Sequence, residues 1–600
     1  MNNRAAVERI RLMVDESKFA ERLVAGIDRD PKGLKTNTEM VRLLLIGLLL
    51  GIEECKTGTI TGAYVALTER MDIRDQVRLG IKVGPGPKDF IKRDRLYYAA
   101  GLVCTGLAYG KSVEFDLTVD ERDRRHDVLL EACHALLDYT AEATEVDDTE
   151  IAIDATSIWG WAKGKYLPKP SLEEINDQTD ELFRAALIEL AGGQGAVDDL
   201  EGSVITDDPT KLGDLDPDSA WCGATAKNGG MKRFYGKYAH ALVAVPRGKI
   251  EDDPNTRAPI VRRIEVTRAT EDVVKVTLRL IDHLGPNVNT VLVDRHYSYK
   301  KFLDWQRALM LRGIRQVFDL RSDDHKVLRH PDATYIDGFA HCPATPVEHF
   351  NLARPGVFAT KDEHRAFQMK MEKREAHSYF VINQMNADGD MKLRCPAREY
   401  KVACPLFPPS MTVAAKRGLT IINTDLLELE PGQELPRCCR QDSFRITLPE
   451  EVAKLNQLNY WGSLAWYIIF GLRSYVEGVF GNMKNPRTEN LQRSAIQKNG
   501  LVWAQLVVTL MSASYNVRMI RSRHDRMEFD PIDHPLLAPD EESVTHYSFS
   551  PEEEALAYEA LINQAEAEHL LVKARTTSTE RLRRRGARVH AVPPTPELTR

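Results

Sequence analysis

The chain has 600 residues, of which 43% are hydrophobic and 28% are charged, and its formal net charge is −7. This composition is typical of a globular chain of several domains and excludes a protein coated in positive charge, so any surface for nucleic acid must be local. Nine cysteines are too few for a disulfide scaffold, and the apolar run Leu43–Ile52 is too short to span a bilayer. No secretory signal stands around Val7–Val14. We therefore expect a cytoplasmic, reducing environment and no membrane partner.

The first 145 residues have a helical pattern. Apolar residues recur at intervals of three and four in Val41–Ile52 and in Val128–Tyr139. A basic turn, KVGPGPKDFIKRDR, lies between these two segments. We predict an N-terminal all-helical domain over residues 1–145 that either binds DNA ends or serves as a dimerisation module.

Strands and helices alternate over residues 146–324, which indicates an α/β fold with a mixed sheet. The predicted strands are Glu150–Ile158, Met231–Pro246, Arg257–Arg268, Asn289–Asp294 and Ile314–Leu320. The predicted helices are Ser171–Ala191, Glu271–Leu284 and Tyr299–Leu311. The acidic stretch Gly192–Ser219 has no periodicity, and we interpret it as a loop or an insertion.

Two of these strands carry an aspartate. Asp154 lies inside the apolar run EIAIDATSI, and Asp294 ends the run NTVLVD. Ligand sites in open α/β sheets lie at strand ends, which favours a chemical role, but an aspartate that caps the following turn explains Asp154 equally well. Asp319 also ends a predicted strand. If the predicted strand order is off by one element, Asp319 takes the place of Asp294 as the second acid.

The segment Trp461–Lys484 is largely aromatic and aliphatic but carries one acid between two cations. On a continuous helix, Phe470, Arg473, Glu477 and Lys484 would share one narrow stripe. A buried acid is costly unless a cation meets it. We expect either an ion pair of Arg473 with Glu477 or a metal ion at Glu477.

In this order, the acids resemble the Asp, Asp, Glu triad of bacterial insertion-sequence transposases. The last sequence block of that family reads Y-(2)-R-(3)-E-(6)-K, and Arg473, Glu477 and Lys484 match its spacing. The first two acids then correspond to Asp154 in IAIDAT and Asp294 in TVLVDRHYS. The segment FYGKYAHALVAV also resembles the family strand that precedes the second acid. The resemblance covers roughly residues 150–526.

The chain departs from the family pattern at two positions. Phe470 stands where the family has tyrosine, so a phenol contact to phosphate is either missing or moved to Tyr467 or Tyr475. His296 stands where a glycine often follows the second acid.

The resemblance implies a ribonuclease H-like core with a mixed five-stranded sheet flanked by helices. It also implies that Asp154, Asp294 and Glu477 hold two Mg²⁺ (or Mn²⁺) ions, which suit hard carboxylate ligands. The implied reaction cuts the ends of an insertion sequence in double-stranded DNA and joins the 3′-hydroxyl to target DNA. A homodimer on the DNA and a nucleoid location in a bacterial cytoplasm follow from the same resemblance. The residues that we expect to contact DNA are Arg473, Tyr475, Lys484, Arg487 and Arg493.

Two alternatives to a transposase remain open from the sequence. One is a catalytically repurposed protein that only binds DNA ends, and the other is a metal-dependent DNA nuclease without strand transfer.

The chain between the second and third acids is long enough for an inserted domain. We predict a β-rich insertion over residues 325–455, in which Lys370–Cys395 forms strands around a turn at Asn386–Gly389. The second part of the core follows at 456–530, with a helix at Leu501–Val517, and a C-terminal acidic helix with a basic disordered tail fills 531–600. Four cysteines in the insertion suit a structural Zn²⁺ ion, with buried free thiols as the alternative: Cys395, Cys404, Cys438 and Cys439.

Overall fold

The computed structural model describes residues 4–27, 31–161, 167–168, 203–204, 216–225, 231–246, 258–356, 359–429, 432–524, 534–538 and 550–584. The predicted helix Ser171–Ala191 lies outside the described residues, together with most of the predicted loop Gly192–Ser219. Within the described ranges, no helix has both the length and the apolar character that a membrane span requires.

The N-terminal region is helical, as predicted. Its helices are α1 (Arg4–Glu16), α2 (Phe19–Ala25), α3 (Pro31–Cys55), α4 (Ile60–Val65), α5 (Ile73–Arg78), α6 (Arg93–Gly106) and α7 (Val119–Ala141). The predicted segments Val41–Ile52 and Val128–Tyr139 lie inside α3 and α7. Thr118 caps α7, because its hydroxyl accepts a hydrogen bond from the Glu121 amide at 3.3 Å. The apolar faces of these helices share one hydrophobic core with the central sheet.

A mixed sheet of six strands follows. The strands up to residue 317 are β1 (Glu150–Trp159), β2 (Leu167–Pro168), β3 (Ser203–Val204), β4 (Ala220–Thr225), β5 (Met231–Ala244), β6 (Ile260–Arg268), β7 (Thr290–Leu292) and β8 (Arg315–Val317). All except the separate pair β2–β3 belong to the sheet. Strand β5 pairs antiparallel with β1, β4 and β6, whereas the β1–β7 and β7–β8 pairs are parallel.

The five predicted strands correspond to β1, β5, β6, β7 and β8, but the predicted number of strands is wrong. Strand β4 pairs with the first residues of β5 and was missed, because its sequence AWCGAT is short and carries a glycine. The predicted helix Tyr299–Leu311 is also shorter in the structure. A 3₁₀ turn covers Arg295–Tyr299, and the α-helix begins only at Gln306.

Ten further α-helices follow in the described part of the chain. They are α8 (Val273–Leu284), α9 (Gln306–Leu311), α10 (Lys361–Ala376), α11 (Pro408–Arg417), α12 (Arg437–Arg440), α13 (Glu450–Ala453), α14 (Leu464–Gly471), α15 (Ser474–Met483), α16 (Leu501–His524) and α17 (Pro551–Arg584). Helix α16 contains the predicted helix Leu501–Val517. Residues 581–584, RLRR, which we predicted to belong to a disordered tail, are the last turn of α17.

Two buried amides on α16 pair with the backbone of β6. Gln505 Oε1 accepts a hydrogen bond from the Val266 amide at 2.6 Å, and its Nε2 donates to the Ile264 carbonyl at 2.9 Å. Asn516 similarly accepts from the Val261 amide at 2.9 Å and donates to the Val261 carbonyl at 3.0 Å. Unpaired groups at a strand edge are costly when they are buried. These two side chains therefore let a hydrophobic helix cover β6.

Two small sheets follow β8 in the chain. One contains β9 (Val327–His330), β10 (Ala333–Ile336) and β11 (Phe339–His341), and the other contains β12 (Phe380–Asn383), β13 (Asp390–Arg394) and β14 (Phe444–Thr447). They share a second hydrophobic core. The predicted turn at Asn386–Gly389 is confirmed, since Asn386 Oδ1 accepts from the Asp388 amide at 3.0 Å. Residues 370–376, which we predicted to be strand, belong to α10, whose Thr360 and Glu363 form a capping box.

Candidate active site

Asp154 and Asp294 come next to each other in the central sheet. In the parallel pair β1–β7, Ala152 pairs with Leu292. Asp154 lies two residues after Ala152, and Asp294 lies two residues after Leu292. The backbone of Asp294 is still extended, with φ −78° and ψ 168°. Because side chains alternate along an extended chain with a period of two, the two carboxylates occupy neighbouring positions on one face of the sheet.

Asp154 is a half-buried acid whose charge is unfavourable in the folded protein. Its side chain is 23% exposed, and its Oδ1 accepts a hydrogen bond from the Ala155 amide at 2.8 Å. Burial raises the pKa of Asp154 to about 6, Arg473 opposes this shift, and the negative charges of Asp294 and Glu477 add to it. The turn-cap explanation for Asp154 is therefore weak, since its one backbone partner is the adjacent amide.

Asp294 begins the 3₁₀ turn that follows β7. Its Oδ1 accepts a hydrogen bond from the His296 amide at 2.9 Å. The backbone of His296 makes this contact, so the contact does not depend on the histidine side chain. The turn fixes the Asp294 carboxylate beside Asp154.

Glu477 lies in the first turn of α15, a helix that packs against β1. Its side chain is 57% exposed, and its Oε1 accepts a hydrogen bond from Arg473 Nη1 at 2.6 Å. Arg473 Nη2 lies 3.7 Å from Asp154 Oδ2. One guanidinium therefore contacts an acid of the sheet and the acid of the helix.

The prediction of one continuous helix for this segment is wrong. Helix α14 ends at Gly471 and α15 begins at Ser474, with Arg473 as its N-cap residue. Glycine is a poor helix former, which explains the break at this point. Phe470 does not join the polar stripe; its ring stacks on Trp466 with centroids 4.7 Å apart. The Arg473–Glu477 pair persists because Arg473 itself keeps a helical backbone, with φ −58° and ψ −29°.

Lys484 ends α15 and is half-buried. Burial lowers the pKa of its ammonium group, and the negative charge of Asp154 opposes that shift. The cation therefore lies within electrostatic reach of the acid pair. The structure brings together five of the predicted site residues: Asp154, Asp294, Arg473, Glu477 and Lys484.

The other predicted DNA contacts differ in accessibility. Arg487 is exposed, whereas Tyr475 is half-buried and packs against the main core. Arg493 donates a hydrogen bond from Nη2 to the Trp161 carbonyl at 2.7 Å, just beyond the end of β1. Trp161 is 45% exposed and was not predicted, although its position in WGWAKGK directly after the first acidic strand was a usable signal.

Asp319, the alternative second acid, has other partners. Its Oδ2 accepts a hydrogen bond from Arg354 Nη1 at 2.8 Å, and its Oδ1 accepts one from Trp461 Nε1 at 3.2 Å. Both carboxylate oxygens thus connect β8 to neighbouring segments. The contacts favour Asp294 over Asp319 as the partner of Asp154.

The four predicted zinc ligands lie in the second core, with Cys439 at its margin. A fifth cysteine, Cys342, belongs to the same cluster and was missed. Its signal was the dipeptide Cys-Pro, which Cys395 and Cys404 also begin.

Among the described residues, no three His, Cys, Asp or Glu side chains are already arranged as a metal-binding group. A comparison of the chain with known protein families, with curated proteins and with solved structures finds no significant match. The interpretation of the site therefore depends on its residues and their geometry.

Proposed function

We propose that this protein is a DNA transposase of the Asp, Asp, Glu type, which cuts at the ends of an insertion sequence and joins the 3′-hydroxyl to target DNA. The observation that carries the proposal is the convergence of Asp154, Asp294 and Glu477 from three distant segments. The position of Asp294 also supports it. Among the strands β1, β5, β6, β7 and β8, the second acid follows the fourth in chain order, as the ribonuclease H-like resemblance implies.

The donor set fits Mg²⁺ or Mn²⁺, because three carboxylates offer hard oxygen ligands. Burial and the neighbouring acids raise the pKa of Asp154, and a divalent cation would relieve this cost. Asp154, Asp294 and Glu477 would hold the two metal ions, for which Arg473 has to release Glu477. When bound, such ions lower the pKa of an attacking hydroxyl and neutralise the charge that develops during phosphodiester cleavage.

Cations near the acids would position the DNA backbone. Arg473 presents a planar fork that can bind two phosphate oxygens, and Lys484 adds a point charge. Arg487 is exposed one turn beyond α15, and Trp161 offers an exposed ring for stacking on a base. This local basic surface is compatible with the chain's net negative charge.

The test uses duplex DNA that carries the sequences flanking the protein's own gene, together with a separate target plasmid and Mg²⁺. We expect wild type to nick the duplex and to join the new 3′ end to the target. Asp154→Asn, Asp294→Asn and Glu477→Gln should each lower both reactions by more than about 100-fold, since each removes a proposed metal ligand.

Asp319→Asn is the matched control, because it removes a carboxylate at the neighbouring strand end and should keep activity at a temperature where the variant is folded. Loss of activity in folded Asp319→Asn would overturn the assignment of the second acid. Nicking without joining would indicate a nuclease. Binding of the DNA ends without nicking would indicate a repurposed DNA-binding protein.

A further inference from the structure

The turn that begins at Asp294 presents two exposed aromatic rings beside the candidate active site. It is a 3₁₀ turn, Arg295–Tyr299, and Asp294 is its N-cap residue. Because such a turn has three residues per revolution, side chains three positions apart lie on the same face. His296 and Tyr299 have this spacing, both are exposed, and their ring centroids lie 6.0 Å apart. Both rings therefore lie on one face of a turn that starts at the second acid.

A third aromatic residue, Tyr297, anchors this turn in the main core. Tyr297 is 4% exposed, and its hydroxyl shares a hydrogen bond of 2.7 Å with that of Thr277 on α8. Its ring centroid lies 4.6 Å from that of the buried Trp305. Because tertiary contacts fix the backbone of the turn through Tyr297, the exposed ring of Tyr299 starts from a defined position.

Arg321 covers one face of the Tyr299 ring. Its guanidinium carbon lies 3.1 Å from the ring centroid, which is a close cation–π contact. Arg321 Nε donates a hydrogen bond to Ser298 Oγ at 2.9 Å, and Nη2 donates to Asp324 Oδ1 at 3.1 Å. Ser298 and Asp324 are both buried. The guanidinium is therefore held against the ring by partners that are themselves fixed.

The opposite face of the Tyr299 ring is open in the described part of the chain. The residue is 60% exposed although one face of its ring is covered. A flat partner on the open face would remove apolar area from water and would extend the existing stack of guanidinium and ring. Because the ring and the guanidinium are already ordered, such stacking would cost little conformational entropy.

Positive charge flanks this ring along the chain. The segment RHYSYKK, residues 295–301, contains three cations and no acid. Arg295 and Lys301 are exposed, and Lys300 is half-buried. A ligand that fits these groups combines a planar aromatic face with negative charge on either side. A nucleotide within a DNA strand has this combination, since its base carries the π face and its phosphates carry the charge.

We propose that Tyr299, with Arg321 behind it, stacks on an unpaired base of the DNA strand bound at Asp294. This inference deepens the proposed function and rests on it, because it requires that the acid site act on DNA. In a duplex each base is stacked on its neighbours, so only a base that has left the helix can present its face to Tyr299. The substrate class is therefore DNA with an unpaired nucleotide near the bond that is cut. The contact does not read the identity of the base, because every base has a π face.

The test measures DNA binding by the full-length protein without Mg²⁺, so that it does not depend on cleavage. The probe is a labelled single strand of about 16 nucleotides from the DNA that flanks the protein's own gene, compared with the same sequence as a perfect duplex. Tyr299→Ala should weaken single-strand binding by between about 5-fold and about 100-fold and leave duplex binding unchanged. Tyr299→Phe keeps the ring and should bind like wild type. Tyr558→Ala is the matched control, because Tyr558 is 70% exposed on α17.

A second measurement uses folded wild type and does not depend on the variants. The same single strand carries one 5-iododeoxyuridine, which crosslinks under ultraviolet light to an aromatic side chain that stacks on it. Mass spectrometry of the digested protein then identifies the modified residue. We expect the crosslink at Tyr299 and a lower yield in Arg321→Lys, which keeps the charge but removes the planar group behind the ring.

The outcomes separate this inference from the proposed function. Crosslinks only at other residues would overturn the stacking role of Tyr299, and so would equal single-strand affinity of Tyr299→Ala and wild type. In either case, duplex binding and cleavage would still support the proposed function. Absence of binding to both forms of DNA would overturn the proposed function together with this inference.

Discussion

Arg473 donates a hydrogen bond to Glu477 at 2.6 Å across one turn of α15. The same guanidinium lies 3.7 Å from Asp154, so it supplies positive charge where three acids converge. A group in this position has two effects. It makes the acid cluster tolerable in the absence of metal, and it would compete with the metal ions that we propose for the carboxylates.

The first prediction concerns Arg473→Gln. Because Arg473 opposes the rise in the pKa of Asp154, its removal should raise that pKa above about 6. If Mn²⁺ binds as we propose, it binds the ionised acid, so the pH at which Mn²⁺ half-maximally raises Tm should move upward. We expect a shift of about one pH unit, measured by thermal unfolding with and without Mn²⁺ between pH 5 and pH 8.5.

Arg487→Gln is the control for this experiment, since Arg487 is an exposed cation of the same region. Its Mn²⁺ response should follow wild type at every pH. If both variants shift equally, the effect is a general loss of positive charge and Arg473 has no special relation to Asp154.

The second prediction concerns Asp154→Asn in the absence of metal. The folded state raises the pKa of this acid from an unfolded value near 3.8 to about 6. The cost of ionising it is absent below pH 3.8, grows between the two values and is complete above pH 6. Asp154→Asn should therefore increase the free energy of unfolding by on the order of 2 kcal/mol at pH 8, and by less at pH 5, in urea unfolding.

Asp319→Asn should instead decrease the free energy of unfolding, because the Asp319 carboxylate already has Arg354 and Trp461 as partners. That variant should lose stability at both pH values. A loss of stability for Asp154→Asn at pH 8 would show that Arg473 compensates Asp154 fully and that the acid is structural.

The placement of the two aspartates was open to prediction from sequence because Asp154 interrupts an apolar run and Asp294 ends one. Their adjacency was not, since it depends on the pairing of β1 with β7, which no local pattern encodes. The break between α14 and α15 was missed even though its signal is local. The sequence around Gly471 is strongly apolar, and its helical pattern concealed the low helix propensity of one residue.

The cysteine cluster of the second core was also only partly predictable from the sequence. Cys395, Cys404, Cys438 and Cys439 fall within one predicted insertion, and their grouping was predicted on that ground. Cys342 lies far upstream and reaches the cluster only because β11 ends beside the start of β12. Clusters of this type are completed by tertiary structure, so the sequence alone identifies only part of them.

The third prediction concerns His240, which is buried on β5 and contacts Thr267 Oγ1 of β6 through Nε2 at 3.0 Å. Burial lowers the pKa of His240 to about 4. The unfolded chain binds a proton near pH 6.5 and the folded chain does not, so stability is complete above pH 6.5 and is lost as the pH falls toward 4. His240 should contribute about 2 kcal/mol to the stability difference between pH 7 and pH 5.

His240→Gln keeps a polar group for Thr267 and removes the proton-binding site. The change in its unfolding free energy between pH 7 and pH 5 should therefore be smaller than that of wild type by about 2 kcal/mol. His330→Gln, at an exposed position, should retain the wild-type dependence. If the two variants have the same pH profile, His240 is not the source of the acid sensitivity.

The fourth prediction concerns Gly236, at the point where β5 pairs with both Trp159 of β1 and Ala220 of β4. A Cβ atom at this position would lie 2.1 Å from the Ile158 carbonyl oxygen and 2.8 Å from the Gly160 amide. Both are backbone atoms that cannot move without displacing β1, the strand that carries Asp154. Gly236→Ala should lower the free energy of unfolding by about 2 kcal/mol or more and should reduce DNA cleavage.

The matched control is Gly478→Ala, which adds the same methyl group beside Glu477. Nothing lies within 4 Å of a Cβ atom at that site in α15, and alanine favours a helix over glycine by about 1 kcal/mol. Gly478→Ala should therefore raise Tm while Gly236→Ala lowers it, as measured by calorimetry at pH 7.5. Equal stability of Gly236→Ala and wild type would mean that β1 and β5 tolerate a change in their spacing, and the position of Asp154 would then not depend on this contact.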